Sequence, residues 1–167
     1  EGELGWVITQ VYGLTETTPF ISICAPLPEH DALEPGERAR IKARQGVELM
    51  TSGDLRVVDE EMRDVPRDGA TLGEIVARGN VVMKGYYDDP GATEKAFRGG
   101  YFHTGDAAVV HPDGSLEIRD RDKDGIASAV MNAARRLPRN ANSTAITSTA
   151  PSTRFLATVW IVASTSE

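Results

Sequence analysis

The sequence has one cysteine, no long apolar run and almost no acid after residue 124. The single cysteine, Cys24, cannot form an intrachain disulfide, which is typical of proteins from a reducing compartment. The longest apolar stretch, residues 155–163, is far shorter than the roughly 20 residues of a membrane-spanning helix. No signal-peptide pattern is present. We therefore predict a cytoplasmic protein without an integral membrane segment.

The charges are unevenly divided along the chain. The 25 Asp and Glu exceed the 18 Lys and Arg, for a net charge of −7, which disfavours nucleic acid and anionic membranes and favours small-molecule ligands. Residues 1–124 carry −10, whereas residues 125–167 carry +3, with many Ala, Ser and Thr and no lysine. The length of 167 residues suits one domain. The composition predicts that this domain ends near residue 124.

Short apolar runs separated by turn residues dominate the first part of the chain. Residues 4–13 (LGWVITQVYG) predict a buried strand that delivers a loop. The runs LRVVD, GEIVARG, NVVMKGYY, AAVV and SLEIR follow between residues 47 and 119, and such spacing predicts a small barrel or sandwich. Two short helices are expected, over residues 34–46 with Gly46 at the end, and over residues 90–97 with Asp89 as the cap.

A turn at residues 111–114 (HPDG) predicts a hairpin. Folding the strands back about this turn places Asp106 roughly opposite Arg119. A carboxylate and the cations of the RDR segment, residues 119–121, then lie at the same end of the hairpin. The geometry predicts a charged site there, although a surface ion pair is the plainer interpretation.

Three motifs resemble the adenylate-forming superfamily, which includes acyl-CoA synthetases: YGLTET (residues 12–17), YFHTGD (101–106) and DRDKD (120–124). The segment GEIVARGNVVMKGYY (73–87) supports the match. The resemblance covers residues 1–124 and is strongest to the fatty-acid-CoA ligase branch. It implies an α/β fold with a predominantly β remnant, which is the end of the large N-terminal domain with its small β-barrel subdomain. We expect the tail, residues 125–167, to be irregular or disordered.

The first motif implies the phosphate side of a nucleotide site. The resemblance places Tyr12 against adenine, with Gly13 beside it, and Thr15 at a phosphate. It gives Glu16 a catalytic role as the carboxylate that holds Mg²⁺, a cation that prefers oxygen ligands. Taken alone, Tyr12 is also what a core tyrosine at a strand end looks like.

The other motifs imply the ribose side and a hinge. Asp106 and Arg121 match the pair that binds the ribose hydroxyls, and a carboxylate with two oxygens suits a vicinal diol. Lys123 matches the hinge about which the small C-terminal domain rotates. Segments after the first motif line the acyl pocket in this family, which implies substrate contacts for Thr18, Pro19 and Phe20. The histidines and Cys24 show no metal-ligand spacing, and His103 receives no catalytic role.

The resemblance implies ATP-dependent, AMP-forming ligation of a carboxylic acid, expected to be a fatty acid, to coenzyme A. Its phosphate loop and its C-terminal catalytic lysine do not occur among these 167 residues. We therefore expect a truncated chain that is inactive alone, with residues 125–167 as an out-of-frame extension or a genuine low-complexity tail. A non-catalytic remnant that at most binds nucleotide, and acyl transfer to a phosphopantetheine carrier, stay open as alternatives. The sequence predicts no oligomeric state.

Overall fold

A computed structural model describes residues 6–121 and 160–165 of the chain, which form two four-stranded sheets. The strands are β1 (Trp6–Tyr12), β2 (Ser22–Cys24), β3 (Val47–Glu48), β4 (Asp54–Val58), β5 (Gly73–Arg78), β6 (Phe102–Val110), β7 (Leu116–Arg121) and β8 (Trp160–Thr165). The helices are α1 (Pro35–Lys42) and α2 (Pro90–Ala96), with 3-10 turns at Thr15–Thr17, Pro28–Ala32 and Arg98–Gly100. The prediction of a predominantly β structure with few helices is confirmed.

All strand pairs described are antiparallel. The first sheet has the order β3-β2-β1-β8, and the second has the order β4-β5-β6-β7, so its strands neighbour one another in chain order. Strands β6 and β7 are joined by the predicted hairpin turn, in which the Gly114 amide donates to the His111 carbonyl at 2.8 Å. The second sheet is therefore a meander built from local pairings.

One hydrophobic core joins the two sheets. Tyr12, Leu14 and Ile21 from the first sheet and its loop pack with residues of the second sheet, among them Ile75 and Ala108. Ile75 and Ala108 are both fully buried, and burial of a side chain the size of isoleucine stabilises a fold by about 1.5–3 kcal/mol. The loop that carries the first sequence motif is thus fixed against the strands that carry the second.

Backbone contacts near Gly46 connect the sheets a second time. The Gln45 amide donates to the Leu116 carbonyl at 2.9 Å, and the Leu116 amide donates to the Gly46 carbonyl at 2.7 Å. Gly46 has φ +73, and a Cβ there would lie 2.0 Å from the carbonyl oxygen of Ile23. The helix over residues 34–46 is confirmed but ends at Lys42, so Gly46 serves this close approach and is not the helix terminus.

The prediction of a strand over residues 80–87 (NVVMKGYY) is wrong. Its backbone donors are used in loop contacts instead of a ladder: the Val82 amide donates to Gly79 at 3.2 Å and the Met83 amide donates to Glu16 at 2.8 Å. The Tyr86 amide donates to the Thr93 hydroxyl at 2.9 Å. The short apolar run predicted the wrong element here, because its backbone donors have partners in loops.

Six residues of the tail form a regular strand. Strand β8 pairs with β1 in antiparallel register, from Trp6↔Thr165 to Val11↔Trp160. The expectation of an irregular tail is therefore wrong for residues 160–165, where apolar and β-branched residues meet the backbone edge of β1. Residues 122–159 and 166–167 lie outside the described residues, and so do the proposed boundary at residue 124 and most of the tail.

The hairpin register differs from the predicted one. Asp106 lies opposite Arg121, two positions beyond the predicted partner. One position arises because Val110 pairs with Leu116 and not with Ser115, and the other because the pairing shifts between Ala107↔Asp120 and Ala108↔Ile118. Arg119, the residue predicted to face Asp106, is the extra residue of this β-bulge. The predicted juxtaposition of the carboxylate with the RDR segment is retained, with the partner moved by two positions.

The cap of α2 allows a test of local structure. The Asp89 side chain accepts a hydrogen bond from the Ala92 amide at 2.9 Å. Asp89→Ala is expected to lower the free energy of unfolding by about 1 kcal/mol, because a terminal amide loses its acceptor. Asp89→Asn retains an acceptor and should unfold at nearly the same urea concentration as the unaltered chain. Equal losses for both variants would contradict the capping role.

Candidate functional site

The first and second motifs meet through one buried hydrogen bond. Tyr12 is the last residue of β1, and its hydroxyl donates to Oδ2 of Asp106 at 2.6 Å. Both residues are 1% exposed, and they are 94 positions apart in the chain. A buried carboxylate needs such hydrogen-bonding partners, because desolvation of an uncompensated charge is costly. The contact fixes where the carboxylate of the second motif lies relative to the loop of the first.

The loop after Tyr12 turns back on itself at Gly13. A Cβ at Gly13 would lie 2.3 Å from both the Cα of Phe20 and the carbonyl oxygen of Pro19, so a side chain does not fit there. Thr17 is fully buried, and its hydroxyl accepts from the Leu14 amide at 2.9 Å and donates to the Leu14 carbonyl at 3.1 Å. The loop is held by its own polar groups.

This folding of the loop leaves its other polar groups accessible. Thr15, Thr18 and Pro19 are exposed, while Glu16 and Phe20 are half-buried. The residues implied at the phosphate, at the metal and in the acyl pocket therefore lie together on one short loop. The structure brings this loop to Asp106 through Tyr12.

Glu16 is tied to a second segment of the chain. Its Oε1 accepts a hydrogen bond from the Tyr86 hydroxyl at 3.1 Å, and its carbonyl accepts from the Met83 amide at 2.8 Å. Burial raises the pKa of the Tyr86 hydroxyl, and the Glu16 carboxylate beside it raises that pKa further. Sequence reasoning missed Tyr86, although it belongs to the supporting motif at residues 73–87.

The Asp106 carboxylate lies on an irregular part of β6. The Thr104 hydroxyl donates to the Ile75 carbonyl at 2.8 Å and accepts from the Asp106 amide at 3.1 Å. Gly105 has φ +71, and its amide donates to Oε1 of Glu74 at 3.1 Å. Glu74 and Thr104 were not identified from the sequence, because their roles depend on a cross-strand contact that spacing does not show.

Two further predicted residues lie at the edge of the described structure. Arg121 ends β7 and stands opposite Asp106 in the strand register. Lys123, the predicted hinge, lies outside the described residues.

The oxygen-bearing side chains of this loop are too few to hold a hard cation alone, so such a cation would also need oxygens from a bound ligand. In the described part of the chain, no group of three or more His, Cys, Asp or Glu side chains could hold a metal ion. Mg²⁺ is commonly bound by one or two carboxylates together with substrate phosphates and water. The half-buried Glu16 carboxylate, with exposed Thr15 beside it, fits that mode of binding.

The buried Asp106 carboxylate, held by the Tyr12 hydroxyl, thus lies beside a tight loop with accessible hydroxyl and carboxylate groups. The family model "AMP-binding enzyme" matches residues 2–87. The chain belongs to the AMP-binding enzyme family.

No helix among residues 6–121 and 160–165 is long and apolar enough to cross a membrane.

Characterised relatives and solved structures agree with this membership. The chain is 52% identical over 131 residues to an acetate–CoA ligase of Humulus lupulus, covering 78% of this chain and 23% of that protein. It is 48% identical over 129 residues to an acetate/butyrate–CoA ligase of Arabidopsis thaliana named as peroxisomal, covering 77% and 23%. A malonyl-CoA ligase solved with methylmalonyl-CoA and AMP aligns with TM-score 0.52 and 33% identity, covering 69% and 22%.

These comparisons confirm the predicted fold class. The described strands correspond to part of an acyl-CoA synthetase-like domain. The chain spans about a quarter of the length of the curated relatives it matches.

Proposed function

We propose that this chain forms the AMP-binding part of an acid–CoA ligase, in which Asp106 holds the ribose and Glu16 faces the phosphates. The observation that carries the proposal is the 2.6 Å hydrogen bond from Tyr12 to Asp106, because it joins two distant motifs into one site. The match to the AMP-binding family supports it independently.

Asp106 has the chemistry that a ribose requires. A carboxylate accepts hydrogen bonds from two vicinal hydroxyls, and each bond to a charged group contributes about 1.5–3 kcal/mol. Arg121 lies across the hairpin from it and would join it at the ribose. The Tyr12 ring and Asp106 are both 1% exposed, so contact of either with a nucleotide requires the residues that cover them to move. We propose that Tyr12 is the donor that orients Asp106 and that, after this movement, its ring stacks on adenine.

Glu16 would hold Mg²⁺ together with phosphate oxygens, and Thr15 would contact the same phosphates. The metal, when bound, neutralises phosphate charge. The protein's own contribution is to aim the Glu16 carboxylate, which the Tyr86 hydroxyl does at 3.1 Å. Gly13 contributes by permitting the tight loop on which Thr15 and Glu16 lie.

The reaction we propose joins a carboxylic acid to the AMP portion of ATP with release of pyrophosphate. The acyl group then passes to the thiol of coenzyme A with release of AMP. We infer a short-chain aliphatic acid as the substrate, because two relatives about half identical to this chain over the aligned residues are named for acetate and for acetate and butyrate. Thr18, Pro19 and Phe20 are proposed to contact that acid. Lys123 as the hinge and a cytoplasmic location stay predictions, and the name of one relative places that protein in peroxisomes.

The test is a pair of measurements on the 167-residue chain. Titration calorimetry with AMP and with ATP and Mg²⁺ measures binding, and pyrophosphate release with acetate, butyrate, octanoate and palmitate measures turnover. Turnover with acetate or butyrate supports the ligase. Binding without turnover supports the second candidate, a nucleotide-binding module without catalysis. Absence of both overturns the nucleotide site.

The contact between Tyr86 and Glu16 gives a further prediction. Tyr86→Phe removes the hydroxyl that orients the Glu16 carboxylate. The affinity for ATP with Mg²⁺ should then fall about tenfold, because loss of a hydrogen-bond partner of a metal ligand commonly lowers metal affinity by this factor or more. AMP binding without metal should be unchanged, which calorimetry can compare directly. Tyr87→Phe is the matched control, because Tyr87 is adjacent and fully exposed. Equal behaviour of the two variants would contradict the role of Tyr86.

A further inference from the structure

Asp106 lies on a two-residue expansion of β6. Between the pairs Glu74↔Ala107 and Val76↔His103, β5 advances by two residues while β6 advances by four. Such bulges redirect side chains and leave backbone groups outside the regular ladder. The left-handed φ of +71 at Gly105 belongs to this bulge. The direction of the Asp106 carboxylate therefore depends on what holds the bulge in place.

Glu74 holds the bulge with both of its carboxylate oxygens. Oε1 accepts from the Gly105 amide at 3.1 Å, and Oε2 lies 2.8 Å from Nδ1 of His103. The Arg98 guanidinium lies 3.9 Å from Oε2. Hydrogen bonds to an ionised carboxylate are stronger than neutral ones, so this clamp restrains the residues that immediately precede Asp106.

His103 extends the clamp to the segment before β6. Its Nε2 lies 3.1 Å from the Arg98 carbonyl, so the ring is placed between a carboxylate and a carbonyl oxygen. The His103 side chain is 10% exposed and that of Glu74 is 27% exposed. Thr104 completes the bulge from the other side through its bonds to Ile75 and Asp106.

We propose that Glu74 is a positioning residue of the nucleotide site: it makes no contact with the nucleotide and acts by fixing the β6 backbone that presents Asp106 to the ribose. This inference rests on the proposed binding of AMP. Loss of Glu74 should therefore weaken the contact between Asp106 and the ribose hydroxyls and leave the contacts to adenine and phosphate unchanged.

The experiment compares the affinities of AMP and 2′,3′-dideoxy-AMP for the 167-residue chain by calorimetry. In the unaltered chain AMP should bind more tightly, because only AMP offers hydroxyls to Asp106. Glu74→Ala should weaken AMP binding about tenfold and leave dideoxy-AMP binding unchanged. Glu74→Gln keeps an acceptor for the Gly105 amide and should recover most of the loss, to within about threefold of the unaltered chain.

Two controls separate positioning from general stability. Glu117 also lies on a strand, is 29% exposed and contacts a histidine, His111, at 2.7 Å, but it stands opposite Val109. Glu117→Ala should therefore leave both affinities unchanged. In an Asp106→Ala background, Glu74→Ala should cause no further loss, because the group that it positions is absent.

The outcomes distinguish the inference from the function on which it rests. No binding of AMP by the unaltered chain overturns the nucleotide site and the role of Glu74 together. A normal preference for AMP over dideoxy-AMP in both Glu74 variants overturns the role of Glu74 alone. An equal loss for the two nucleotides in Glu74→Gln, with an unchanged unfolding midpoint, also overturns it.

Discussion

Asp106→Ala is expected to lower the affinity for AMP by at least about a hundredfold, because two hydrogen bonds from the ribose to a charged acceptor are lost. Calorimetric titration of the purified variant measures the effect. The variant also removes the acceptor at Asp106 for the Tyr12 hydroxyl, and this contact is buried, since both residues are 1% exposed. The loss of affinity must therefore be separated from a loss of stability.

Tyr12→Phe provides that separation. It removes the same 2.6 Å hydrogen bond but keeps the carboxylate. We expect the free energy of unfolding to fall by about 1–3 kcal/mol, as for other buried hydrogen bonds, while AMP affinity falls by only about tenfold. AMP binding by Asp106→Ala equal to that of the unaltered chain would exclude Asp106 from the ribose site. Equal affinities for the two variants would show that the hydrogen bond, and not the carboxylate, matters.

Gly13→Ala is expected to damage both stability and binding. The added Cβ would lie 2.3 Å from backbone atoms of Pro19 and Phe20, so the loop must open to accommodate it. Overpacking of this kind costs about 1–3 kcal/mol or more. Thr15 and Glu16 move with the loop, so binding of ATP with Mg²⁺ should be lost in parallel.

Gly36→Ala is the matched control for this substitution. Gly36 lies in α1, and a Cβ added there would meet no atom within 4 Å. Alanine at this position should stabilise the chain by a few tenths to about 1 kcal/mol, since glycine is a poor helix former. Urea unfolding of both variants measures the contrast. An unchanged midpoint for Gly13→Ala would contradict the close packing of the loop.

The sequence predicts most elements because their signals are local. Strand β1 is rich in β-branched residues, the hairpin turn carries proline and glycine at suitable positions, and α2 begins with an aspartate cap. The prediction of a strand over residues 80–87 is wrong because backbone amides of this segment donate to Glu16 and Thr93, which both lie outside it. A short apolar run alone cannot show such contacts.

Some residues of the candidate site could likewise be predicted from the sequence, and others could not. Tyr12, Glu16 and Asp106 are identified through motifs, and the hairpin argument brings the RDR segment to Asp106. The predicted register is wrong by two positions, because Val110 pairs with Leu116 and because Arg119 is an extra residue in β7 that the turn and apolar pattern does not mark. Glu74 and Tyr86 were missed for a related reason, since each acts through a contact to a residue far away in the chain.

The central claim is that the YGLTET and YFHTGD motifs form one nucleotide site. It is tested most directly by nuclear magnetic resonance of the ¹⁵N-labelled chain, whose mass of 18.0 kDa suits the method. Addition of AMP should shift the amide signals of Gly13 to Glu16 and of Thr104 to Asp106 together, with the same concentration dependence. Shifts confined to one motif, or absent from both at millimolar AMP, would contradict a shared site.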